Sequence, residues 1–168
     1  MLPLFLVNEK GMARELANII IGFSRVSAAV FLLFSGSIID RIGYKRAMVL
    51  FLAITGIFTL MLGVLNGRFI TPTLIIFQAT SAACFTPAGL AAVSLIFPLH
   101  LRSLAVSLLG LIAFFFGGGL MPSSIGYLAD AFSFSLGFSF TGMLVLTILP
   151  LLFYVTLNSH FHEKNSYE

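Results

Sequence analysis

The side chains best suited to chemistry in this chain lie in GSIIDRIGYKR, residues 36–46. Asp40, Arg41, Lys45 and Arg46 crowd there between two long apolar runs. Asp40 falls in the last turn of the helix that the first run would form, where the helix dipole disfavours an acid. Such a carboxylate needs compensation, from neighbouring cations or from the positive end of another helix. Gly36 lies one turn before Asp40 and lets a second helix approach that face closely. Gly43 can take positive φ and reverse the chain in a tight turn. The chemistry on offer is a charge contact between helices. A cytoplasmic turn with an incidental acid is the plain alternative.

A second set of residues could hold a ligand. Arg25 is the only basic residue deep within an apolar run, with Ser24, Ser27, Ala28 and Ala29 leaving room beside it. It precedes Asp40 by about 22 Å of helix at about 1.5 Å per residue, in the outer part of a bilayer rather than at its centre. Charges at such depth are costly enough to be functional by default. Arg25 would bind an anionic substrate or a substrate carboxylate; otherwise it snorkels outward or pairs with an acid elsewhere. Gln78 and Ser81 share a helix face three positions apart and are the next candidates for lining a cavity. Ser and Thr in a helix often bond only to the carbonyl one turn back, which is the bland reading of Ser81, Thr80 and Thr86.

Catalysis finds no foothold. His100, His160 and His162 fall at the aqueous edges of the apolar runs, and no acid lies within a run. Cys84 is the single cysteine, so neither an internal disulfide nor a cysteine metal site is expected, and its apolar flanks read as packing. No cofactor and no metal are implied. The nine Lys and Arg are scattered rather than gathered in a stripe, which argues against nucleic acid as a partner despite a net charge of +3.

Hydrophobic residues make up 59% of the 168 and charged residues 9%, against about 25% charged in soluble domains. Mean hydropathy is +1.08. The chain therefore reads as an all-α membrane protein whose partner is the lipid bilayer. A span needs about 20 residues of helix. Residues 17–39, 47–65, 69–97, 103–128 and 132–155 meet that length, with a bend expected at Pro87 and a packing or gating hinge at Gly117, Gly118 and Gly119. Residues 1–7 are too short to cross and resemble the far end of a longer helix whose beginning is missing. The bundle is thus expected over 1–157, with a polar cytoplasmic tail at 158–168.

Short connections predict that successive helices are antiparallel neighbours in one bundle. Arg41, Lys45 and Arg46 place the 40–46 loop in the cytoplasm and the end of the first segment outside. Asp130 is expected to cap the last helix.

Gly36, Asp40, Arg41, Gly43, Lys45 and Arg46 together resemble the loop signature of the major facilitator superfamily of secondary transporters. That signature lies between the second and third helices and recurs more loosely between the eighth and ninth. Three further spans follow the helix after this loop, which is similar to the second copy. The resemblance therefore implies the C-terminal half of such a permease, from the end of helix 7 through helix 12. Pro98, Arg102 and Ser103 resemble the loop between helices 10 and 11, and Pro122, Gly126 and Asp130 the outer end of helix 11.

Family membership would imply two six-helix bundles that rock about a small-molecule substrate bound between them. Asp40 would face the cytoplasmic start of a helix in the other bundle, with Arg41 and Arg46 nearby. An N-terminal half would be the partner, in the plasma membrane. A split or incomplete remnant, inactive alone, is the alternative.

Overall fold

The computed structural model describes residues 2–65, 67 and 69–164, with side chains as far as 151 and at 153. In hydrocarbon a backbone must satisfy its own hydrogen bonds, so apolar runs become helices. Seven α-helices result among the described residues: α1 (Leu2–Asn8), α2 (Arg14–Ile42), α3 (Tyr44–Val64), α4 (Ile70–Ile96), α5 (Arg102–Ala113), α6 (Met121–Ala131) and α7 (Phe134–Lys164). A π-helical segment, Phe114–Leu120, joins α5 to α6 and contains the three consecutive glycines. Among the described residues, five units are long and apolar enough to cross a membrane: α2, α3, α4, the joined α5–α6, and α7 from Phe134 to Leu151. The fold is all-α, as the composition implies.

Several boundaries move outward from their sequence estimates. α7 continues to Lys164, past the expected tail boundary. α4 runs unbroken through Pro87, which has no N–H to offer the Ala83 carbonyl one turn back. Asn66 and Arg68, between α3 and α4, lie outside the described residues. At the charged turn the prediction is met: Gly43 alone separates α2 from α3, at φ 85°.

Packing departs from simple succession. α3 lies mainly on α7 and α4, and α2 packs on α4 far more than on α3. Small residues decide this, because helices meet where backbones can approach. A Cβ on Gly142 of α7 would come within 2.5 Å of the Leu60 backbone nitrogen of α3, and one on Gly63 within 2.5 Å of the Ser135 carbonyl oxygen. Two apolar clusters result. One, at the α1 end, gathers Phe5, Leu6, Ala17, Leu62, Leu74, Ile75 and Phe138. The other, near the charged turn, gathers Ile39, Ala47, Phe51, Cys84 and Ala88, so Cys84 packs as expected.

The short first segment is fully part of this body. Phe5 and Leu6 are fully buried, and the Phe5 ring centroid lies 4.9 Å from that of Phe138. The Glu9 carboxylate accepts hydrogen bonds from the Ser135 N–H (3.0 and 3.2 Å) and from its hydroxyl (2.6 Å). These donors open α7, where a negative charge complements the dipole. The Leu136 N–H donates to Ser133 Oγ at 3.2 Å. Glu9 and Ser133 therefore cap the last helix, and the cap expected of Asp130 is not the one formed; Asp130 lies within the last turn of α6.

Candidate functional site

The polar residues of α2, α3 and α4 meet along two seams. On one, Ser27 Oγ of α2 and Thr80 Oγ1 of α4 share a hydrogen bond of 3.2 Å. On the other, Thr55 Oγ1 of α3 donates to Ser81 Oγ of α4 at 3.1 Å, and Gln78 Nε2 donates to Thr59 Oγ1 at 3.4 Å. The pairing follows from periodicity, since Thr55 and Thr59 are one turn apart on α3 and Gln78 and Ser81 one turn apart on α4. Thr59 also donates backward to the Thr55 carbonyl at 2.7 Å and Ser81 to the Phe77 carbonyl at 2.9 Å, while the single Thr55 hydroxyl hydrogen is shared between Ser81 Oγ and the Phe51 carbonyl, 2.7 Å away.

Beside these seams, α2 and α4 enclose a groove of about 390 Å³ that Leu2 of α1 borders at one end. Arg25 and Gln78 both line it, with Ser24 and the small side chains of Ala28, Ala79, Ala82 and Ala83 forming much of the rest. Two of the three residues singled out as ligand contacts thus come together from helices far apart in sequence. Ser81 does not join them: it is buried, 6% exposed, in the α3–α4 contact. Gln78 turns the same helix toward both the groove and α3, and its proximity to Ser81 in sequence concealed that division. Arg25 itself is exposed. Ser24 is buried, and its hydroxyl donates to the Ile21 carbonyl at 2.7 Å.

A larger cleft of about 870 Å³ opens near the start of α2, between Glu9, Lys10, Leu16, Gly67 and Phe69. Its charges already serve the fold. Glu9 caps α7, and the Lys10 ammonium lies 4.8 Å from the centre of the Phe5 ring. Burial holds the Lys10 ammonium below the ordinary lysine range, against the opposing pull of Glu9.

The charged turn has a different character. Asp40 and Arg41 lie in the last turn of α2, and Lys45 and Arg46 in the first turn of α3. Asp40, Lys45 and Arg46 thus oppose the dipoles of their own helices. Asp40, Arg41 and Arg46 are exposed, and Lys45 Nζ lies 5.8 Å from the Tyr44 ring centre. A Cβ at Gly36 would meet nothing within 4 Å, so the face beside Asp40 is open. Arg41 alone of the four charges complements the dipole of its own helix.

No group of His, Cys, Asp and Glu suited to a metal ion occurs among the described residues. The contacts that sequence reading missed are Glu9, Thr55 and Thr59. The i, i+4 spacing of the two threonines is a signal that could have found them. Glu9 gave none, because its partner lies 126 positions away.

The model of the Major Facilitator Superfamily matches residues 1–167. No curated protein and no solved structure matches the chain.

Proposed function

Because the chain belongs to the Major Facilitator Superfamily, an integral membrane family of transporters rather than enzymes, we propose that it carries a small anion across a membrane by alternating access. The α2–α4 groove would form part of the substrate site. The observation that carries this reading is the meeting of Arg25 of α2 and Gln78 of α4 in one groove. A guanidinium within a membrane span is expensive unless an anion or a partner compensates it, and a second polar group converging on it is what a binding site needs.

In this reading the chain corresponds to the C-terminal six-helix half of the fold, with α1 as the outer end of its first helix. Its counterpart would be an N-terminal half that covers the exposed groove face. Asp40 would meet the positive start of a helix in that half, with Gly36 permitting the approach, Gly43 the turn, and Arg41, Lys45 and Arg46 grouped around it. Making and breaking that contact would accompany the rocking that exposes the site to each side in turn. The plasma membrane is the proposed location.

A second reading is favoured by one observation: in the joined α5–α6 span, no residue of its most apolar membrane window is buried. A helix so little covered by its own chain fits a bundle that works only against a companion. On that reading the polypeptide is inactive until a separate half supplies the cover.

Uptake of a panel of radiolabelled anions into proteoliposomes, with the chain alone and with a companion N-terminal half, separates the two. Anion uptake with the companion present supports the transport reading, and silence of the chain alone supports its dependence on that half; uptake by the chain alone overturns that dependence. Arg25→Ala is expected to lower uptake about tenfold or more. Normal uptake by a folded Arg25→Ala protein removes Arg25 from the site.

A further inference from the structure

We infer that the α2–α4 groove selects a compact organic monoanion, a carboxylate or sulfonate carried on an apolar body, over dianions and neutral solutes. The inference rests on the groove being the substrate site and adds the class of cargo. Charge counting leads to it. Arg25 is the one charged side chain, among the described residues, that lines the groove. A guanidinium presents its N–H groups in a planar fork that matches one carboxylate or one sulfonate edge.

One positive charge balances one negative charge. A dianion would leave its second charge in a region of low dielectric, and a neutral solute would leave the guanidinium uncompensated; both are costly.

The remaining polar groups agree with a single headgroup. Gln78 donates one amide hydrogen to Thr59, which leaves its other N–H as a second donor for the same anion. The Ser24 hydroxyl gives its hydrogen to the Ile21 carbonyl, so it can only accept and recruits no further negative oxygen. Beyond these groups the walls are alanines 28, 79, 82 and 83. Their methyl groups favour hydrocarbon over a second polar group, because an unpaired polar atom there would lose its water without replacement. A volume of about 390 Å³ falls at the small end of ligand pockets, which span about 300–1,000 Å³.

Titration calorimetry of the full chain in lipid nanodiscs, with the companion half wherever uptake requires it, tests this with benzoate, benzamide, phthalate and inorganic phosphate as probes. Saturable benzoate binding is expected, with the other three about tenfold weaker or more. Arg25→Gln should abolish the preference of benzoate over benzamide, and Arg25→Lys should keep part of it. Far-UV circular dichroism establishes that each variant is folded. Should Arg25→Gln not fold, the four probes on the unmodified chain still decide. Absence of saturable benzoate binding, or benzamide or phthalate binding as tightly as benzoate, overturns the inference. Binding is read without transport, so binding that ignores ligand charge would refute the selectivity and leave the transport reading standing.

Discussion

α3 and the joined α5–α6 span are both strongly apolar, yet the protein treats them in opposite ways. In its most apolar window α3 has 33% of residues buried, whereas the α5–α6 window has 0%. Both contain glycines. Gly56 and Gly63 of α3 face side chains and backbone of α7, while Gly117 and Gly119 have open space where a Cβ would stand. Apolarity brings a helix into the bilayer, but it does not assign a neighbour, because lipid is as apolar as leucine. Close-fitting small residues assign the neighbour. The glycines of α3 are spent within this chain, and those of the π-helical segment are left for contacts outside it or for bending.

The sharpest way to break this contrast is at Gly142, whose Cβ would press on the backbone of Leu60. Gly142→Leu is expected to separate α3 from α7 and to cost more than the about 1–3 kcal/mol of ordinary overpacking, since backbone cannot move aside. A lowered thermal midpoint in detergent, with loss of monodisperse protein, checks it. Next comes Glu9→Ala, which removes the cap of α7 and the tie between the first loop and the packed body. It should cost about 1–2 kcal/mol, read as a lower midpoint that Glu9→Gln restores in part. The smallest effect belongs to Gly119→Ala on the open side. With nothing to strike, it should raise stability by roughly 0.5–1 kcal/mol through helix propensity. A destabilising Gly119→Ala would mean that the segment is packed after all.

The sequence revealed the five spans because a hydropathic ruler needs no knowledge of neighbours. It also located the turn at Gly43, since a glycine between two bases and two apolar runs leaves few other conformations. Which helices touch was hidden. The pairing of α2 with α4 depends on Ser24, Ser27 and Ala28 meeting a face of α4, and no local pattern encodes that meeting. The candidate site was half legible. Arg25 stood out by the cost of its charge and Gln78 by its lack of a local backbone habit. Ser81 shared the helical spacing of Gln78 yet turned to α3, because a span with neighbours on two sides divides its polar residues between them. Glu9 looked like an ordinary loop acid until the fold brought Ser135 to it.

The packed α3–α7 side maintains the structure, and the proposal assigns the work to the open side and to Asp40 at the charged turn. Asp40→Ala tests it most directly, with anion uptake and thermal midpoint measured on the same proteoliposome preparation, including any companion half that uptake requires. Removing an acid from the C-terminal turn of α2 should leave the midpoint unchanged or raise stability by about 0.3–1 kcal/mol, while uptake falls about tenfold or more. Uptake equal to that of the unmodified protein, or a midpoint that falls together with uptake, would contradict the claim.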